Sequence, residues 1–191
     1  MLPTREEAEK LLIEAEKCNP GVWKEHSEFT ALCAESIAKA CGMDAKKAYI
    51  CGLLHDIGRK FGVKQMGHIY DGWKYMLQLG YDEVARICLS HSFSIQMLRD
   101  YIGKHDITDA QKEELGRALE EMVYDDYDLL IQLCDGMAGA EGLMKMEDRM
   151  NDVKRRYGSY PQEKWDRNME LKALFEKRAG KDIYELVGMK K

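Results

Sequence analysis

Apolar residues recur at three- and four-residue spacing along almost the whole chain, and nothing interrupts that period where a helix needs it. Of the three prolines, Pro3 and Pro161 stand where helices begin, and Pro20 lies in the turn Asn19-Pro20-Gly21. Thr4-x-x-Glu7 and Thr108-x-x-Gln111 are capping boxes, while Gly42 and Gly80 suit left-handed helix ends. The pattern predicts helices over 4–17, 26–41 and 44–56, the last one broken by Gly58. Further helices are expected at 66–79, 82–90, 94–102 and 108–122. Another starts at Asp125 or Asp126 and carries Leu129, Leu130, Leu133 and Met137. Residues 143–156 and 161–179 read as charged amphipathic helices, followed by a short apolar piece at 182–188. No segment alternates as a strand would, so the expected fold class is all-α.

With 191 residues the chain amounts to one domain and should bury roughly 70% of its unfolded surface. Hydrophobic residues at 45% and charged residues at 33% fit a folded chain rather than a disordered one. A net charge of −5 offers no general attraction to nucleic acid or to an anionic membrane. The longest apolar stretch, 48–54, is too short to cross a bilayer, and the charged N-terminus does not read as a signal peptide. Cysteines 18, 33, 41, 51, 88 and 134 form no CxxC pair, and they read as reduced thiols of a cytoplasmic protein.

Chemistry concentrates at the histidines. Two of the five are followed by aspartate, and their surroundings separate them. His55-Asp56 ends the most apolar segment, 49–54, where a carboxylate is costly to ionise without a compensating cation. A divalent metal supplies that compensation, with imidazole and carboxylate as suitable ligands. His105-Asp106 sits in a polar stretch, 103–108, and reads as part of a solvated loop. His26 begins a helix whose face continues through Phe29, Cys33 and Ile37, and Asp135 is a second carboxylate inside an apolar helix. Asp125, Asp126 and Asp128 read as a helix cap and a solvated face. The stretch 149–178 reads as a solvated pair of helices, with a substrate-pocket wall or dimer interface as its other reading.

The order His26, His55-Asp56, Asp135 resembles the HD superfamily of metal-dependent phosphohydrolases, and 48–58 resembles that family's "aLLHDIGK" segment. The resemblance runs over about 22–140. His68-Ile69-Tyr70-Asp71-Gly72 and Ile87-Cys88-Leu89-Ser90-His91 resemble elements of its two-metal branch. That branch includes the HD-GYP phosphodiesterases and the bacterial dinucleoside tetraphosphate hydrolases. The chain is more similar to the latter in length and spacing, since it lacks Gly-Tyr-Pro and has Ser92 after His91. Arg59 stands where the family commonly has lysine, which keeps the charge but replaces a point charge with a fork.

The resemblance implies a single HD-type multi-helix bundle with its core at 22–140 and a C-terminal helical extension at 141–191. It implies one metal held by His26, His55, Asp56 and Asp135, with Asp56 bridging to a second metal completed by His68 and His91. Arg59 and then Lys60 are the basic side chains expected to stabilise phosphoryl charge as metal-activated water attacks. Iron is the expected metal, and manganese, cobalt or zinc also suits this ligand set. The implied substrate is a phosphate ester or phosphoanhydride of a nucleotide or dinucleoside polyphosphate. No nucleic-acid or membrane partner is expected, and a homodimer is left open. Two other readings share the ligand order: an HD-type di-iron oxygenase and a non-catalytic, ligand-sensing HD-like module. Loss of ligand residues would mark the second, and all six positions are filled.

Overall fold

The computed structural model of the protein describes residues 1–189. Ten α-helices follow one another there: α1 Arg5–Cys18, α2 Trp23–Ala40, α3 Ala45–Leu54, α4 Met66–Gln78, α5 Asp82–Ser90, α6 Asp109–Glu121, α7 Asp126–Asp135, α8 Met146–Tyr157, α9 Gln162–Ala179 and α10 Ile183–Leu186. Short 3-10 turns lie at Ile57–Phe61 and Leu98–Asp100. Beyond a single bridge between Ala138 and Leu143, no strand pairing occurs among the described residues. The fold is all-α. No described helix is long and apolar enough to cross a membrane.

Local sequence sets the helix limits. Thr4 and Thr108 close both halves of their capping boxes, and Asp44 and Asp125 accept backbone N–H groups at the starts of α3 and α7. Helices α2 and α3 pack closely because Ala31 and Gly52 meet between them: a Cβ on Gly52 would stand 2.8 Å from the Ala31 Cα. Leu130, Ile131, Leu133, Leu171 and Phe175 from α7 and α9 cover one side of that pair. Ala8 and Leu12 of α1, with Val84 and Cys88 of α5, cover the other. Each large aliphatic side chain buried this way contributes roughly 1.5–3 kcal/mol. A third cluster joins α4, α5 and α6 through Met66, Ile69, Leu89, Leu115 and Leu119. Because α9 packs on both α2 and α7, the C-terminal helices share the core of the preceding region.

Gly58 is where the backbone most needs a missing side chain. The chain leaves α3 at His55-Asp56 and enters the 3-10 turn, which presses against the first turn of α4. A Cβ on Gly58 would stand 1.9 Å from the His68 carbonyl oxygen and 2.5 Å from the Gly72 nitrogen. With glycine there, α4 can lie flat on the turn and bring His68 to Asp56.

Several expectations need correction. No α-helix forms over 94–102, where the chain holds only the 3-10 turn Leu98–Asp100. A side chain from elsewhere holds the segment at its two ends instead: Lys164 Nζ donates to Ser92 O (2.9 Å), just before it, and to Asp100 O (3.3 Å). Such tertiary partners outweigh weak local propensity. The helix with Asp135 ends there, so Met137 lies in the following turn, and α2 starts at Trp23, three residues before His26. Asp128 is fully buried rather than solvated. It pairs with Arg86 and accepts from Ser90 Oγ at 2.7 Å, which braces the end of α5 beside His91. All six cysteines are free, and 33, 51, 88 and 134 are buried.

Candidate metal centre

Helix ends deliver the six expected ligands to one place. His26 and His68 lie in the first turns of α2 and α4, His55 and His91 cap the C-termini of α3 and α5, and Asp135 is the last residue of α7. Asp56 follows His55 in the turn. The C-termini of α3, α5 and α7 carry partial negative charge toward the cluster, which favours a cation.

Each histidine places its Nδ1 against a backbone carbonyl. His55 reaches Gly52 O at 2.7 Å, His91 reaches Cys88 O at 3.0 Å, His26 reaches Ala138 O at 3.1 Å, and His68 reaches Gln65 O. Gly52 and Cys88 lie in last helical turns, whose carbonyls have no partner inside the helix. A carbonyl can only accept, so Nδ1 carries a proton in all four rings, and Nε2 presents a lone pair whenever the ring is neutral. This is the second-sphere arrangement typical of metal-ligating imidazoles.

Those lone pairs converge. The Nε2 atoms of His26 and His55 lie 3.2 Å apart, and those of His68 and His91 lie 3.3 Å apart. Asp135 Oδ1 stands 2.9 Å from His26 Nε2 and 3.7 Å from His55 Nε2. Asp56 Oδ1 stands 3.0 Å from His68 Nε2 and 3.5 Å from His91 Nε2, and its Oδ2 is directed toward His55 at 4.0 Å. Acceptors at such separations repel unless positive charge lies among them. Two nitrogens bound at about 2.1 Å to one cation, at angles of about 90–110°, would lie roughly 3.0–3.4 Å apart. The donor set therefore fits divalent metal: His26, His55 and Asp135 form one group, and His55, Asp56 and His91 form a second that shares His55, with His68 beside Asp56.

Electrostatics agrees with that fit. Burial opposes ionisation of Asp56, yet Arg59, His68 and His55 outweigh it and hold the carboxyl well below its usual range. Asp135 is likewise held down against burial, by His26 and His55. Burial, with Arg59 adding to it, pushes His68 down to about 4, so it is neutral and available as a ligand near pH 7. For His55 burial is outweighed by Asp56 and Asp135, which raise it; two carboxylates here demand positive charge.

The cluster forms one wall of a cavity of about 780 Å³, reached by His26, Asp56, His68, His91 and Asp135. Arg59 also lines it and pairs with Asp56. Lys60, the second basic candidate, does not join them: its Nζ lies 4.0 Å over the Tyr75 ring. Successive residues of a 3-10 turn diverge by a third of a turn, so neighbours 59 and 60 face different ways. His105 and Asp106 are exposed and apart from the cluster. Asp106 nonetheless has a structural role, accepting the Gln65 and Gly67 N–H groups (2.7 Å each) at the start of α4.

Residues of α8, of α9 and of the link between them also line the cavity: Arg149, Arg156, Tyr160, Lys164 and Asn168. The sequence offers a pocket wall as the other reading of 149–178 but singles out none of these residues. Lys164, Asn168, Leu171 and Phe175 are all buried and follow the spacing i, i+4, i+7, i+11. A lysine and an asparagine on an otherwise apolar stripe were the available signal. Burial pushes the Lys164 ammonium down to about 8, and its two carbonyl partners tie α9 to the segment after His91.

The HD domain family matches residues 23–140, and its span holds all six expected ligands. Ribonuclease Y of Mesoplasma florum is similar over 60 residues at 42% identity, covering 31% of this chain. That stretch is 12% of the ribonuclease's own length. No solved structure matches the chain. A match over more than half of its length, and a His/Asp cluster able to hold divalent metal, establish that the chain belongs to the HD domain family, whose members are in general metal-dependent phosphohydrolases.

Proposed function

We propose that the chain is a metal-dependent phosphohydrolase that cleaves a phosphate ester or phosphoanhydride of a nucleotide or dinucleoside polyphosphate. The observation that carries this reading is the common orientation of four imidazoles, all with Nδ1 on a carbonyl and Nε2 toward the same pair of carboxylates. Divalent cations held there supply positive charge to phosphoryl oxygens and acidify water. Imidazole-rich ligation with two carboxylates and no thiolate favours iron, with manganese, cobalt or zinc as alternatives.

The chain's own residues divide the remaining work. Asp56 holds the two halves of the cluster together, and Arg59 neutralises it while lining the cavity. A guanidinium in that position offers a phosphoryl group two parallel N–H donors. The cavity volume lies within the usual range for small-molecule sites, so a nucleotide-sized ligand suits it. The likeness to a ribonuclease covers too little of that protein to bring an RNA substrate with it.

Anaerobically purified protein, loaded with Fe²⁺ or Mn²⁺, tests the reading by release of phosphate or nucleotide from a panel of nucleotides and dinucleoside polyphosphates. Hydrolysis that continues without oxygen is expected. Oxygen-dependent turnover without hydrolysis would reassign the site to oxygenase chemistry.

A further inference from the structure

The cavity beside the His/Asp cluster holds a buried cation without a counter-ion. Lys164 is only 9% exposed, yet no carboxylate pairs with it among the described residues. Its Nζ donates to two carbonyl oxygens, Ser92 O and Asp100 O, and its third N–H has no acceptor among the described residues. Ser92 directly follows His91, so the ammonium is anchored one residue from an expected metal ligand, and Lys164 lines the cavity there. A desolvated ammonium with no charged partner is costly, and an anion in the cavity offsets that cost.

Tyr160, in the link between α8 and α9, adds a second donor to the same cavity. Its Oη accepts from Asn168 Nδ2 at 2.6 Å, and Asn168 lies one turn along α9 from Lys164. With Oη accepting, the O–H itself has no acceptor among the described residues. Burial pushes this phenol up to about 12, so it stays protonated near pH 7 and can donate. The charge of Asp135 acts on Tyr160 and Lys164 alike, which sets both donors near the carboxylate that ends α7. Both residues lie outside the span matched by the HD domain family.

We propose that Lys164 and Tyr160 form an oxyanion-binding pair, which holds a tetrahedral oxyanion in the cavity beside the cluster through the third N–H of Lys164 and the O–H of Tyr160. This rests on the phosphohydrolase reading only in taking that oxyanion to be the phosphoryl group of the substrate. A charged donor and a neutral donor converging on one oxyanion fix its orientation as well as its charge.

Sulfate is the probe, because it is tetrahedral, stays a dianion across the range in which Lys164 titrates, and is no substrate for phosphate-ester hydrolysis. Calorimetric titration of the zinc-loaded full chain should show sulfate binding that weakens about tenfold or more in Lys164→Met, and less in Lys164→Arg, with metal retained. Tyr160→Phe should weaken it by about threefold to tenfold. A residue that only braced the loop after His91 would not change its own titration on binding the anion. The NMR signal of isotope-labelled lysine, assigned by its absence from Lys164→Arg, reads that titration, with a midpoint of about 8 in the sulfate-free chain. Saturating sulfate is expected to raise the midpoint by about one pH unit or more, because tenfold tighter binding to the charged form corresponds to one unit. Equal sulfate affinity in the unmodified chain and Lys164→Met, or a midpoint left in place by sulfate, would overturn the proposal. So would an unmodified chain that binds no sulfate. Should Lys164→Met lose its fold or its metal, Tyr160→Phe and the midpoint in the unmodified chain decide. Hydrolysis of phosphate esters in any of those cases leaves the phosphohydrolase reading standing. Sulfate bound through Lys164 by a chain that hydrolyses no phosphate ester would overturn that reading alone.

Discussion

Asp56→Ala is expected to empty both halves of the cluster and lower hydrolysis by about a hundredfold to a thousandfold or more. Asp56 is the one carboxylate that approaches His55, His68 and His91, so its loss removes the shared oxygen donor from both sides. Losing the charge stabilisation of bound metal costs several kcal/mol in the transition state, and each 1.36 kcal/mol is about a factor of ten. Asp106→Ala is the matched control, because it removes the aspartate of the second His-Asp pair. Its carboxylate caps α4 from outside the cluster, so the expected cost is about 1 kcal/mol of stability with metal retained. Metal analysis and urea denaturation of the two variants read these effects separately. Equal metal loss from both would contradict the placement of the centre at Asp56.

Metal removal should destabilise the chain almost as visibly. Neighbouring pairs among the four Nε2 atoms and the two ionised carboxylates lie 2.9–4.0 Å apart, with Arg59 as the cation paired to Asp56. A cation bound only by the folded state stabilises it by about 2.7 kcal/mol when present at a hundred times its dissociation constant. Two such sites contribute about 5 kcal/mol, which for a chain of this size shifts the melting temperature by roughly 10–20 °C. Calorimetric melting before and after dialysis against a chelator measures the shift. Superimposable melts would mean that the cluster does not hold metal in the folded chain.

The parts of this structure legible in the sequence are those set by local chemistry. Thr4, Asp44, Thr108 and Asp125 mark helix starts because their side chains bond the next turn of their own backbone. His55-Asp56 is legible because a carboxylate ending an apolar helix requires a partner. Features set by distant partners are less legible. The missing helix at 94–102 depends on Lys164, more than sixty residues later, and the burial of Asp128 depends on Arg86 and Ser90. Lys60 reads as a second phosphate-binding cation until the 3-10 turn directs it to Tyr75. The cavity's C-terminal lining follows the same rule, because Arg149, Arg156, Lys164 and Asn168 reach the cavity only through the packing of α9 on α2 and α7.

Anomalous scattering from a manganese-loaded crystal tests the central claim, that Asp56 lies between two cations, most directly. The expected result is two peaks flanking Asp56, about 3.5–4 Å apart. One should lie among His26, His55 and Asp135, and the other beside His68 and His91. A single peak bounded by His26, His55, Asp56 and Asp135, with His68 and His91 bare, would contradict the two-cation centre.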